Sequence, residues 1–303
     1  MPRPHEPPMN YRHAFHAGNP GDVLKHLVLI LLLDHLRKKP KPFAYIETHA
    51  GRGLYDLAAD SASRTAEHER GIGRLWGRES DSPALARYLE IVARFNRSGD
   101  VRAGSCPDEL RHYPGSPAIA QALLRDDDRM ILCELHPEEH QALRRQLAGD
   151  RRVATHRVDG YQGLKAFLPP SLGRGLVLMD PPFERADEHP ALVQGLRLAH
   201  RRFPAATLAA WLPVKGDAPL QAFEASLIAA GLPTILRVEV STTAATSSDR
   251  MTGSRMLIVN PPWRLDDTLR QTLPGLTKRL ASDPDGGRWG VDWLVRERPR
   301  SRP

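Results

Sequence analysis

The chain has 303 residues, 41% hydrophobic and 26% charged, enough for one large α/β domain or two small ones whose core needs no disulfide or metal staple. That balance excludes a disordered tail, and the most apolar run, Val23 to Leu36, is too short and carries too many polar groups (Lys25, His26, Asp34, His35) to span a bilayer. Forty-three basic residues against 36 acidic ones leave a net charge of +7, and only seven of the basic ones are Lys; the Arg surplus suits a nucleic-acid partner and equally an Arg-rich genome.

Residues 1–8 hold four prolines and no apolar core of a signal peptide, so residues 1–9 are expected to be a flexible arm and the protein to be cytoplasmic. The two cysteines, Cys106 and Cys133, form no C-x-x-C pair and fit a reducing compartment. Residues 22–39 predict a helix with Asp22 as N-cap, ended by Pro40 and Pro42. Phe43 to Ile46 is a short strand entering a glycine-containing turn. Residues 54–112 show no clear strand and predict an inserted helical segment, with Ala84 to Phe95 its best helix. RMILCELH is a buried strand ending in an acid, followed by a helix with Pro137 at its first position. RVATHRVDG is a strand ending at Asp159, and GLVLMDPPF a strong buried strand ending at Asp180. Leu192 to His200 is helical, TLAAWLPV a strand, Leu220 to Ala230 a helix, and ILRVEVST and RMLIVNPPW late strands. A polar, basic tail occupies residues 296–303.

Strands alternating with helices predict an α/β fold: a mostly parallel sheet with helices on both faces. In such sheets ligands sit outside the carboxyl ends of the strands, where the strand order reverses. The first four predicted strands each end in an acid, Glu47, Glu134, Asp159 and Asp180.

Asp180-Pro181-Pro182-Phe183 is the sharpest signal. An acid, two prolines and an aromatic ring after an apolar strand suit the methylation of an exocyclic amine such as adenine N6, whose lone pair is delocalised into the ring. A carboxylate (Asp180) and a rigid backbone carbonyl (Pro181) can accept both N–H bonds, and Phe183 can stack on a flipped-out base. The plain alternative is a strand-ending turn. Asn260-Pro261-Pro262-Trp263 fits a similar pattern, but it ends a strand some 80 residues later, near the far edge of the sheet, and is expected to be a structural exit.

His49-Ala50-Gly51-Arg52-Gly53 follows the first strand. It lacks the G-K-[ST] of a phosphate loop, and Asp56 breaks a G-x-G-x-x-G pattern. The turn suits a small ligand without phosphates, such as S-adenosylmethionine, or no ligand at all. Glu134 can accept ribose hydroxyls, and Asp159-Gly160 can meet the adenine end; each acid can also serve as a helix cap. Tyr11-Arg12-His13, with Phe15 and His16, can grip RNA. His136 and His140 have an i, i+4 spacing without a third ligand, so no metal is expected.

The segments YRHAFHAGNPGDVLKH, THAGRG, YPGSP, ELHP, VDG and LMDPPF, in this order, resemble the bacterial ribosomal RNA large subunit methyltransferase J family, from about Asn10 to Trp293. The resemblance implies a Rossmann-like class I methyltransferase domain over residues 10–53 and 113–295, with a small inserted helical subdomain at 54–112. It implies S-adenosylmethionine as cofactor and N6 of an adenine in 23S ribosomal RNA as the methyl acceptor. Carried over by motif, Asp180 is the catalytic residue and also touches the cofactor. Lys25, His26, His49, Gly51, Ser116, Glu134, Asp159 and Gly160 line the cofactor pocket, and Tyr11, His13, Pro181 and Phe183 meet the target adenosine. The expected partner is large-subunit RNA, with no membrane and no metal, and a monomer is expected. Alternatives are an amino-methyltransferase acting on DNA adenine or protein glutamine, or a non-catalytic RNA-binding protein on the same scaffold. Phe183 stands where the family often has Tyr, and residues 1–8 and the stretch Gly104 to Glu109 depart from its usual outline.

Overall fold

The computed structural model describes residues 13–59, 62, 65–80, 82–97, 109–216, 218–243, 251–282 and 287–296. Tyr11, the arm 1–9, the loop 104–108 and the tail beyond residue 296 lie outside the described residues.

Helix α1 (Pro20–Arg37) is buried along most of its length, as its nearly unbroken apolar sequence demands. The sequence places its cap at Asp22, but the helix starts two residues earlier. Asn19 accepts the Asp22 N–H and Pro20 fits the first turn, which frees the Asp22 carboxylate to face the interior. After α1 come β1 (Ala44–Glu47), β2 (Leu54–Asp56), α2 (Glu67–Arg70), α3 (Pro83–Arg94), β3 (His112–Pro114), α4 (Ser116–Leu123), β4 (Arg129–Cys133) and α5 (Pro137–Gln146). The second half holds β5 (Val153–His156), α6 (Gly160–Phe167), β6 (Gly175–Met179), α7 (Glu188–Arg202), β7 (Thr207–Val214), α8 (Ala218–Ala229), β8 (Ile235–Ser241), β9 (Gly253–Val259), α9 (Leu265–Leu280) and β10 (Arg288–Val295).

Eight strands form one sheet in the order β10-β8-β9-β7-β6-β1-β4-β5. β7, β6, β1, β4 and β5 run parallel, and the β9, β8 and β10 pairings are antiparallel. One core joins the sheet to α1, α3, α4 and α9 through residues such as Leu27, Ile30, Tyr88, Ile119 and Leu273. The other lies under α6, α7 and α8, through Leu164, Leu196 and Leu227. Each fully buried aliphatic side chain contributes about 1.5–3 kcal/mol, so both faces are firmly fixed.

Strand order reverses at β1, which has β4 on one side and β6 on the other. The carboxyl ends of β1, β4 and β6 therefore open onto one crevice, as doubly wound sheets require. The segment expected to lack strands contains β2 and, at its end, the start of β3. These pair antiparallel as a separate ribbon, Leu54 opposite Pro114. Three residues per strand are too few to carry a period-2 pattern, which is why the sequence does not announce them. β9 lies between β7 and β8 rather than near the sheet edge. The edge is β10, unassigned in the sequence reading along with α9, whose interior holds Pro274.

Candidate active site

Asp180 follows β6 and is reached by Lys25 from α1. The Lys25 Nζ donates to Asp180 Oδ2 at 2.5 Å and lies 2.8 Å from Asp22 Oδ1. Asp22 Oδ2 accepts the Gly18 N–H at 2.9 Å and contacts His13 Nε2 at 2.9 Å. A polar chain thus runs from His13 through Asp22 and Lys25 to Asp180. Burial alone would lower the Lys25 pKa, but Asp180 and Asp22 hold it well above its ordinary value. Burial likewise opposes the charge of Asp22, yet His13 and Lys25 keep its pKa well below the usual carboxylate range. The Asp180 side chain keeps 13% exposure, and among the described residues its Oδ1 accepts no hydrogen bond.

The turn after Asp180 holds Phe183 at φ +53°, a left-handed conformation that costs a side chain about 1 kcal/mol or more. Its half-buried ring packs 5.3 Å from His189 and 6.1 Å from Trp211. Trp211 in β7 also lies 5.9 Å from Lys25 Nζ, and so walls the Lys25–Asp180 pair on the side away from β1. The sequence gives Trp211 no role; only the register, with Met179 opposite Ala210, makes it level with Asp180.

Across the crevice, Glu134 follows β4. Its two oxygens accept the Gly51 N–H at 2.8 Å and the His136 N–H at 2.7 Å. It is 8% exposed, and burial raises its pKa. Gly51 sits at φ +63°, and a Cβ there would lie 2.5 Å from the Tyr55 hydroxyl oxygen, so the turn needs glycine. Gly160 opens α6 directly against Thr48; a Cβ would overlap the Thr48 carbonyl. Asp159 caps α6, accepting the Gln162 N–H at 2.9 Å. His49 is half-buried, bonds Thr48 Oγ1 through Nδ1 at 2.7 Å and stands edge-on to Tyr161. Burial lowers its pKa to about 4, against the pull of Asp180 and Asp159.

Beneath the crevice, Glu47 is fully buried and accepts hydrogen bonds from Tyr45 Oη, at 2.8 Å, and from Ser116 Oγ. Burial pushes its pKa up to about 8, although both hydroxyls oppose the rise.

The structure brings Lys25, His49, Gly51, Glu134, Asp159, Gly160 and Asp180 to the strand ends, with Ser116 just below them through Glu47. It does not bring His26 there. Neighbours on a helix point about 100° apart, so with Lys25 facing Asp180, His26 turns into the core. Its Nδ1 bonds the Tyr113 hydroxyl at 2.8 Å, and burial lowers its pKa to about 3. His136 caps α5 through Nδ1, which accepts the Glu138 N–H at 3.3 Å. Asn260 lies at the opposite end of the sheet from Asp180, donating to the Pro204 and Ala206 carbonyls at the foot of β7, and is a strand exit.

The model of the family described as Ribosomal RNA large subunit methyltransferase D, RlmJ, matches residues 40–295. The chain belongs to that family. Its members named Ribosomal RNA large subunit methyltransferase J are similar over nearly the whole chain. The protein of Escherichia coli (strain K12) is 42% identical over 291 residues, covering 95% of this chain and all of that one. That of Haemophilus influenzae (strain ATCC 51907 / DSM 11121 / KW20 / Rd) is 40% identical over 290 residues, with 95% and 100% coverage. Among solved structures, a protein of Legionella pneumophila str. Philadelphia 1 superposes with a TM-score of 0.81 at 31% identity, covering 91% of this chain and 98% of that one. The RlmJ family match embraces every strand end of the crevice, and the relatives extend it over α1, which carries Lys25.

Proposed function

We propose that this chain is an S-adenosylmethionine-dependent methyltransferase that modifies N6 of an adenine in 23S ribosomal RNA, acting in the cytoplasm. Family membership supports the reaction class and the RNA substrate. The observation that carries the chemistry is the Asp180 carboxylate, tied at one oxygen to Lys25 and open at the other.

The cofactor fit rests on the donor set. Each oxygen of Glu134 has one backbone donor and so keeps acceptor capacity for ribose hydroxyls. The turn at Gly51 and the close packing of Gly160 on Thr48 leave bare backbone beside it. Glu134, Gly51 and His49 would hold the nucleoside end, with Asp159-Gly160 along the base. When bound, S-adenosylmethionine supplies an electrophilic methyl carbon on a sulfonium.

Asp180 Oδ1 and the Pro181 carbonyl accept the two N6–H bonds and draw the nitrogen lone pair out of conjugation. Lys25, anchored by Asp22, holds Oδ2 and with it the carboxylate rotamer, a preorganised acceptor rather than a mobile one. Phe183 stacks on the base from its place beside His189 and Trp211. A bound S-adenosylmethionine would give up its methyl carbon to N6, its sulfur keeping the electron pair of the methyl–sulfur bond. The nitrogen becomes cationic and acidic, and Asp180 receives its proton and passes it to solvent.

Tritiated-methyl transfer tests the reading, with unmodified 23S ribosomal RNA, DNA and glutamine-containing protein as competing acceptors. Label on N6 of RNA adenine is expected; label on DNA or protein alone, or no label with any acceptor, overturns it.

A further inference from the structure

The strands on one side of Asp180 do not stop at its level. Val214 lies three residues beyond Trp211 and is in register with Gly253, Ser241 and Arg288 on β9, β8 and β10. This antiparallel part of the sheet therefore stands about 10 Å above Asp180, at roughly 3.3 Å per residue. Lys215, Met251, Arg288 and Trp289 lie along its rim. Met251 is brought beside Lys215 because the Thr252 N–H bonds the Val214 carbonyl at 2.9 Å. Trp289 is opposite Val240, whose side chain belongs to the core under α1 and α9. Paired residues share a face, so Trp289 stands on the face from which Lys25 reaches the site.

Two features of this rim call for a partner. Trp289 and Met251 are large apolar side chains with 42% and 37% exposure. Lys215 and Arg288 are exposed and, among the described residues, meet no carboxylate. On the opposite face of these strands, toward α8, the cations are neutralised: Arg255 pairs with Glu224 and Glu239, and Arg237 with Glu224 and Asp292. An exposed aromatic on a rim whose cations, among the described residues, meet no carboxylate matches a polyanion with stackable bases better than an apolar protein face.

We propose that the rim of β7, β9, β8 and β10 is the track for the RNA strand flanking the target adenosine, with Trp289 stacking on a base and Lys215 and Arg288 meeting phosphates. This rests on the reading of the Asp180 crevice as an RNA-adenine site. Four strand spacings of about 4.8 Å put Trp289 about 20 Å from Asp180. At the ~3.4 Å spacing of stacked nucleotides, that is about six nucleotides from the modified base.

The test is anisotropy binding and methyl transfer with unmodified 23S ribosomal RNA transcribed in vitro, across a salt series. Trp289→Ala is expected to raise both Kd and KM for RNA at least about fivefold, the low end for one lost base stack, with kcat within twofold and with Trp289→Phe restoring binding. Joint replacement of Lys215 and Arg288 by Ala should make the log Kd against log salt slope shallower by about 1.4, the value for two phosphates on a single strand. Trp263→Ala is the control: Trp263 is 82% exposed, but at the opposite end of the sheet, and should bind RNA as the parent does. Parent-like Kd, KM and salt slope in the rim variants, or an equal loss in Trp263→Ala, overturns the proposal. A parent protein that binds RNA through the rim but transfers no methyl overturns the reading of the crevice while leaving the track standing, and one that binds no RNA overturns both.

Discussion

Lys25→Met removes the cation shared by Asp22 and Asp180 and leaves the two carboxylates facing each other. Their nearest oxygens both touch Nζ, at 2.8 and 2.5 Å, so they lie no more than about 5 Å apart. At an effective dielectric near 20, like charges at that distance repel by about 3 kcal/mol. Breaking a buried ion pair costs about 3–5 kcal/mol, which agrees. Thermal unfolding should fall by roughly 5–8 °C at pH 7.5. The contribution of this carboxylate pair to the pH dependence should also change sign. In the parent, the depressed Asp22 pKa contributes stability that is present above the unfolded carboxylate range and is lost as pH falls through the folded value. In Lys25→Met, repulsion raises one of the pair, so stability is greatest below the unfolded pKa near ~4 and is lost as pH rises through the folded value. Calorimetric scans from about pH 3 to 8, across the unfolded carboxylate pKa near ~4, with methyl transfer measured at 25 °C, read both effects. A variant melting within 2 °C of the parent at pH 7.5 and retaining methyl transfer would refute the idea that Lys25 organises Asp180.

Two further substitutions probe the rest of the crevice. Glu134→Gln keeps the shape but loses charge-assisted hydrogen bonds of about 1.5–3 kcal/mol, so S-adenosylmethionine affinity by calorimetry should drop roughly 10- to 100-fold. Saturating cofactor should restore kcat to within a few-fold. Glu47→Gln should flatten the loss of stability between pH 4.5 and 8 in chemical denaturation. A buried acid whose pKa is raised to about 8 stabilises fully below its unfolded pKa and loses that contribution as pH rises through 8. Parallel pH curves for parent and variant would remove Glu47 as the source.

The parallel half of the sheet is legible in the sequence because its strands are apolar runs ending in acids at chain positions that recur in one topology. Glu134, Asp159 and Asp180 can be placed at a common end before any coordinates exist. What organises Asp180 is less legible: Lys25 stands 155 residues away in sequence, and only α1 packing over the sheet joins them. Asp22 hides because its residue type is also a favoured helix cap, a role Asn19 takes instead. α9 is masked by Pro274 within an otherwise regular helix, and β10 by Gly290 and Asp292, residues disfavoured in strands. Trp211 and the rim near Trp289 become visible only through strand register, which a sequence specifies but does not display.

The central claim is that the carboxylate of residue 180 accepts the amine that is methylated. Asp180→Ala, measured for N6-methyladenine in 23S ribosomal RNA beside S-adenosylmethionine affinity, tests it most directly. The account predicts methyl transfer reduced by at least a thousandfold, about 4 kcal/mol of lost transition-state stabilisation, with cofactor affinity within a few-fold of the parent. Near-parent transfer by the folded variant would contradict it.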